Sequence, residues 1–261
     1  MSKPASPDVG VDLDGAVAVA ELRRPPHNYF DLALVGALAD AFEALEADRR
    51  CRAIVLAAQG SAFCAGADFA TRDATPPQRS ARAVNPLYAD ALRLFACTKP
   101  VVAAVHGPAV GGGLGLALVA DFRVTCPEAR FSANFNRLGI HPGFGLSVTL
   151  PRLLGVQRAA LLFYTGRRID GSEAHRIGLA DELVARDQVR VRALALAREI
   201  ATSAPIAVQA TRATLRAGLV EQIRSAVAHE SQQQRIQLET ADFQEGVAAM
   251  AARREPRFKG H

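Results

Sequence analysis

Short, wholly apolar runs alternate with longer amphipathic stretches through the first half of the chain. Ala16-Val17-Ala18-Val19-Ala20-Glu21-Leu22 predicts a strand. Arg23-Arg24-Pro25-Pro26-His27-Asn28 ends it, because two prolines in a row deny a ladder its N–H donors. From Asp31, a residue of N-cap type, Leu34, Leu38, Phe42 and Leu45 recur at helical spacing until the charged stretch Glu46 to Arg50. Ala53-Ile54-Val55-Leu56-Ala57 and Val101-Val102-Ala103-Ala104-Val105 lack the alternation of a half-exposed strand, so both predict strands buried on two faces. Strands alternating with helices imply an α/β domain. After Ala185 no strand-like run follows, and Val189–Thr202, Ile206–Leu219 and Gln222–Ala251 read as helices rich in Ala, Arg, Glu and Gln. The expected division is a core over residues 1–200 and a helical C-terminal region over 201–261.

Two loops of small residues each follow a predicted strand. One is Ala62-Phe63-Cys64-Ala65-Gly66-Ala67-Asp68-Phe69; the other is His106-Gly107-Pro108-Ala109-Val110-Gly111-Gly112-Gly113. Small residues let a ligand approach the backbone. The second loop runs straight into the apolar stretch Leu114 to Ala120, so its amides would gather at the positive end of a helix. Close strand–helix packing calls for the same residues, and the pattern alone leaves both readings open. A dinucleotide fingerprint fits worse, since the G-x-G-x-x-G order is absent. Between Thr71 and Pro86 a polar stretch with three prolines and three arginines is a candidate lid.

Composition narrows the classes. The chain has 261 residues, 49% hydrophobic and 22% charged, which is ordinary globular balance. No stretch approaches the roughly 20 apolar residues of a membrane span. The first ten residues are polar with two prolines, unlike a signal peptide, so a cytoplasmic location is expected. Four widely spaced cysteines form no C-x-x-C pair and no zinc pattern. A net charge of +5 suits an anionic ligand, but the arginines are scattered rather than gathered into the basic stripe of a nucleic-acid surface.

Several segments resemble one family in order and spacing. They are Arg24-Pro25-Pro26-His27-Asn28, Ala62 to Asp68, Lys99-Pro100-Val101 through Gly111-Gly112-Gly113, Leu138-Gly139-Ile140-His141-Pro142-Gly143, Thr165-Gly166-Arg167-Arg168-Ile169, and Phe243-Gln244-Glu245-Gly246 to Pro256-Arg257-Phe258. From about residue 12 to 259 the chain is similar to the enoyl-CoA hydratase/isomerase (crotonase) family. The resemblance implies an α/β fold, a crotonase-like spiral of ββα turns with parallel sheets followed by a helical C-terminal region, and assembly as a homotrimer or dimer of trimers. It implies an acyl-CoA thioester as ligand, with no cofactor beyond the coenzyme A that the substrate carries. The thioester oxygen would lie between the backbone N–H groups of Ala67 and Gly112. Pantetheine would pass the loop of Ala65, Gly66, Asp68 and Phe69, the adenosine diphosphate would sit near Arg24, His27 and Asn28, and Gly111 would also contact the substrate. Phe135, Pro142 and Gly143 would border the acyl pocket, and Phe258 and Lys259 would approach a CoA site, a neighbouring subunit's included.

The chain departs from the family where hydration needs its acid and base. Hydratases use two glutamates, one to deprotonate water and one to protonate carbon. The matching positions are Gly115 and Phe135. A site with Gly and Phe there is expected to be wider on one side and more apolar on the other. His141 is the candidate acid/base, since imidazole exchanges protons near neutral pH. Tyr29 and Tyr88 are further proton donors in principle, Cys64 reads as a small buried hydrophobe, and Asn134 and Asn136 can orient water but not take up a proton. Three functions stay open: an enzyme that uses the oxyanion hole with few side chains, for thioester hydrolysis, decarboxylation of a malonyl-type thioester or another reaction through an enolate; a non-catalytic acyl-CoA binding protein; and a hydratase whose acid and base come from elsewhere, such as His141.

Overall fold

The computed structural model describes residues 6–68 and 85–261. Phe69 and nearly all of the candidate lid lie outside the described residues. In chain order the elements are β1 (Val9–Asp14), β2 (Val17–Leu22), α1 (Leu32–Ala47), β3 (Ala53–Ala58), α2 (Pro86–Ala96), β4 (Val101–Val105), β5 (Ala109–Val110), α3 (Gly112–Ala117), β6 (Phe122–Thr125) and β7 (Arg130–Ser132). A 3-10 turn at Asn134–Leu138 leads to α4 (Leu146–Leu154), α5 (Val156–Thr165), β8 (Arg168–Asp170), α6 (Gly171–Arg176) and β9 (Glu182–Leu183). Four helices close the chain: α7 (Val189–Ala201), α8 (Pro205–Leu215), α9 (Leu219–Gln237) and α10 (Ala241–Ala251).

The larger sheet has the order β1-β2-β3-β4-β6-β9, antiparallel only at β1·β2 and parallel from β2 onward. Its inner strands β2, β3 and β4 are buried at every residue, as their unbroken apolar runs require. A smaller sheet, β5-β7-β8, lies beside it. Two successive turns of the chain pass from the large sheet through the small one into a helix: β4–β5–α3, then β6–β7 and the 3-10 turn into α4. Helix α1 starts where the sequence places it. The Asp31 carboxylate accepts from Leu34 N at 2.9 Å, and Leu34, Leu38, Phe42 and Leu45 are all buried. Helix α7 packs across β2, β3, β4 and β6 and covers the outer face of the large sheet.

The elements between Phe122 and Leu183 were not read from the sequence, and two others differ from its expectation. β1 was not expected, because an edge strand with burial on few of its residues carries little hydrophobic signal. The helical stretch from Gln222 to Ala251 divides at Leu238 to Thr240. There the Thr240 hydroxyl accepts from Phe243 N at 3.1 Å and donates to Gln237 O at 2.7 Å, capping α10 and closing α9. Among the described residues no helix is long and apolar enough to cross a membrane.

Candidate active site

The two small-residue loops are stitched to each other by backbone. Cys64 N donates to Pro108 O at 3.0 Å, Val110 N donates back to Cys64 O at 3.0 Å, and Gly111 N is held by Ser132 O at 2.8 Å. On the other side Ala65 N donates to His27 O and Phe30 N to Gly66 O, both at 3.0 Å. Gly66 has a φ of +82°, and a Cβ there would stand 2.7 Å from the Val110 carbonyl oxygen and 3.6 Å from Gly112 N, so only glycine lets the loops come this close. Gly112 opens α3, so its N–H has no intrahelical partner. Among the described residues, neither this amide nor that of Ala67 finds an acceptor. Two unengaged donors on two rigidly joined loops can hold an anionic oxygen.

The positions that a hydratase would give to glutamate are filled with aromatic carbon. A Cβ at Gly115 would lie 2.8 Å from Phe144 Cβ, 2.9 Å from its Cδ1 and 3.0 Å from its Cγ. The expected extra room at Gly115 is therefore absent, because Phe144 occupies it. Phe135 is buried, with its Cζ 3.8 Å from the Cβ position of Gly111, as an apolar wall requires. The ring of Phe30 lies flush on Gly112 and 5.6 Å from that of Phe144. Asn134 Oδ1 comes 3.5 Å from the Cβ position of Gly111, so this amide is at the loops as well.

The other residues expected at the site are spread more widely. His27 and Tyr29 are exposed beside the first loop, their rings edge to face at 5.5 Å. Arg24 is half-buried and paired with Asp8 at 2.7 Å and Asp31 at 2.9 Å. Asn28 is fully buried, and its side chain is spent on the loop: Nδ2 donates to Gln59 O and Ala62 O, and Oδ1 accepts from Arg24 N. It shapes the turn that presents His27. Ala65 and Asp68 are half-buried on the first loop. Pro142 and Gly143 are buried, and the Tyr88 hydroxyl fills the space a Cβ at Gly143 would take while donating to Gln234 Oε1 at 2.8 Å. Phe258 and Lys259 are exposed on a tail that folds back on α10, with Lys259 N on Asp242 Oδ1 at 2.7 Å.

His141 faces another cavity. Its backbone N–H donates to Gln237 Oε1, and its Nδ1 lies 2.7 Å from Pro142 O, which can only accept, so Nδ1 carries a proton. With Asn136, Gln237, Phe163 and Tyr164 it lines a cavity of about 470 Å³ to which Ala67, Gly112, Gly115 and Phe135 do not contribute. Cys64, by contrast, sits in the first loop but is inert. Burial pushes its thiol up to about 12, and Sγ lies 3.1 Å from Asn28 O. Iodoacetamide at pH 8 is expected to leave Cys64 unlabelled in the folded protein, as read by peptide mass spectrometry; rapid labelling would contradict this burial. Among the described residues no group of three or more His, Cys, Asp or Glu is placed to hold a metal ion.

Sequence reasoning missed Phe144 and Glu230. Glu230, on α9, is fully buried and accepts from Gly145 N at 2.9 Å, Ser147 N at 3.2 Å and Ser147 Oγ at 2.5 Å. It thereby caps α4 and holds the segment that carries Phe144. A lone Glu in a polar helix gives no signal of such burial; the run Phe144-Gly145-Leu146-Ser147 opening a helix without a cap of its own does.

A spiral of parallel strands bringing two small-residue loops against each other defines an α/β protein whose candidate site is built from backbone. The family profile for enoyl-CoA hydratase/isomerase matches residues 12–261, and the chain belongs to that family. It is 36% identical over 255 residues to a probable enoyl-CoA hydratase of Rhizobium meliloti, covering 95% of this chain and 96% of the other. It is 34% identical over 261 residues to the human protein named enoyl-CoA hydratase domain-containing protein 2, mitochondrial, covering 98% and 88%. The crystal structure of an enoyl-CoA hydratase/isomerase from Pseudoalteromonas atlantica superposes with a TM-score of 0.87 at 31% identity, over 97% of this chain and all of that one. The fold is the crotonase spiral.

Proposed function

We propose that the protein binds an acyl-CoA thioester and processes it through an enolate whose oxygen is held by the N–H groups of Ala67 and Gly112, with no carboxylate acting from position 115 or 135. The observation that carries this reading is the pair of unengaged amides on loops locked together by the Cys64, Pro108 and Val110 hydrogen bonds. Preorganised donors of this kind contribute roughly 3 to 4 kcal/mol each to a developing oxyanion, and they require no side chain. Reactions that reach the enolate without a base suit such a site best. In decarboxylation of a malonyl-type thioester the bond from the α-carbon to the carboxylate breaks, its electron pair becomes the enolate, and carbon dioxide leaves. Solvent then returns a proton to carbon.

In the same reading His27 and Arg24 lie near the adenosine diphosphate, pantetheine follows Ala65 to Phe69, and Phe258 and Lys259 meet the CoA of a neighbouring protomer in a trimer or dimer of trimers. Four free, buried cysteines fit a reducing compartment such as the cytoplasm. A second reading, acyl-CoA binding without turnover, draws support from Phe144 standing in the place of a catalytic side chain.

Infrared spectra of bound [1-13C]acetyl-, crotonyl- and malonyl-CoA, with mass spectrometry of each mixture, test both. The labelled carbonyl stretch is expected to move to lower frequency as two donors polarise it. A bound thioester with an unshifted carbonyl would refute the amide pair. Product from malonyl-CoA alone supports decarboxylation, and no product from any of them supports the binder. Hydration of crotonyl-CoA that His141→Ala abolishes would overturn the claim that the site works without an added acid and base.

A further inference from the structure

Three glycines that follow β5 are each matched to a phenylalanine. Gly111 faces the Phe135 ring, Gly112 is overlaid by Phe30, and Gly115 by Phe144. Gly112 and Gly115 are one helical turn apart on α3 and so share a face. An acyl group whose carbonyl oxygen sits on the Gly112 amide has its α-carbon one bond from the carbonyl carbon, and therefore beside this face. The inference rests on the thioester reading above.

Phe144 is the fixed member of the wall. It has no solvent exposure and packs edge to face against Tyr88 and Phe95, with centroids 6.5 and 6.3 Å apart. Its φ of +63° is one that a bulky residue rarely adopts, so the packing around it holds the backbone there. The next amide, Gly145 N, is tied to Glu230, and a Cβ on the preceding Gly143 would strike Tyr88. The ring cannot swing aside for a ligand without breaking these contacts.

We propose that Phe144, seated where a side chain at position 115 would project, is a specificity-determining residue that restricts the site to thioesters with an unbranched α-carbon. An added methyl on that carbon, directed toward the Gly115 face, would meet the Phe144 side chain, whose atoms stand 2.8 to 3.0 Å from the Cβ position of Gly115, and a well-packed wall accommodates even one extra methyl poorly.

The test compares two isomers of equal size, n-butyryl-CoA and isobutyryl-CoA, by calorimetric titration against the wild-type protein, Phe144→Ala and Phe144→Leu, with free CoA as control. Wild type is expected to bind the straight isomer at least tenfold tighter. Phe144→Ala brings the ratio to within about threefold, Phe144→Leu gives an intermediate ratio, and affinity for free CoA stays unchanged. Phe144→Leu alone decides the matter if the alanine variant does not fold. The proposal is overturned by a wild type that does not discriminate, or by a ratio that neither substitution moves. Wild type that binds free CoA but gains nothing from an acyl group would instead overturn the thioester reading itself.

Discussion

Gly113→Ala is expected to cost about 3 kcal/mol of stability and to abolish acyl-CoA binding. The new Cβ would overlap the carbonyl oxygen and carbon of Cys64, which are backbone atoms of the opposite loop rather than the free end of a side chain. Those atoms cannot yield without losing the Val110 N to Cys64 O bond and the Cys64 N to Pro108 O bond that hold the loops together. Overpacking a rigid contact costs about 1 to 3 kcal/mol, and each hydrogen bond lost adds about 1 kcal/mol. Against this, alanine gains up to about 1 kcal/mol over glycine within a helix. Gly36→Ala is the matched control. It lies inside α1, where the nearest atom to an added Cβ is the carboxylate end of Asp90 at 3.1 Å, so its effect should be between neutral and a gain of about 1 kcal/mol. For a chain of this size a loss of 3 kcal/mol lowers Tm by roughly 6 to 12 °C. Thermal melts of the two variants read the difference, and equal Tm values would show that the loops are not in rigid contact at Gly113.

The same geometry explains what the sequence could and could not disclose. β2, β3 and β4 were legible because burial on both faces forces a continuous apolar run, and α1 because its cap and its buried stripe both lie within one short stretch. The two loops were legible because close backbone approach leaves few choices but small residues. Phe144 was not. Gly115 reads as open space until the chain is folded, since the ring that fills it arrives from 29 positions downstream, and no local pattern announces a contact across α3 and the turn before α4. Asn28 is the converse. A polar residue in a loop reads as ligand-facing, yet this one is consumed in holding Gln59 and Ala62. His141 shows the limit of a motif, whose order places the backbone while the cavity that the ring lines, with Asn136, Phe163 and Gln237, emerges only in the fold.

Glu230→Ala is expected to destabilise the fold by about 3 kcal/mol and to loosen the Phe144 segment. Among the described residues the carboxylate is the sole acceptor of Gly145 N and Ser147 N, the first donors of α4, and a buried donor left without a partner costs about 1 to 3 kcal/mol. Removing a buried charge returns part of its desolvation cost, which keeps the net loss below the sum of these penalties. The pH dependence of Glu230→Gln separates the charge from the packing. Burial raises the Glu230 pKa above its ordinary value of 4.5, outweighing the Ser147 hydroxyl, the Gly145 and Ser147 amides and the nearby His141, all of which lower it. With the folded pKa above the unfolded one, the native state holds its proton more tightly, so the side chain's contribution is largest below pH 4.5 and declines as pH rises through the elevated folded value. The stability of wild type minus that of Glu230→Gln should therefore fall with increasing pH across that window, because glutamine cannot titrate. Denaturant titrations at half-unit steps from pH 4 to 8 measure this difference. A difference that rises with pH would mean that the three donors outweigh burial, and that Glu230 holds the α4 terminus as a stabilised anion.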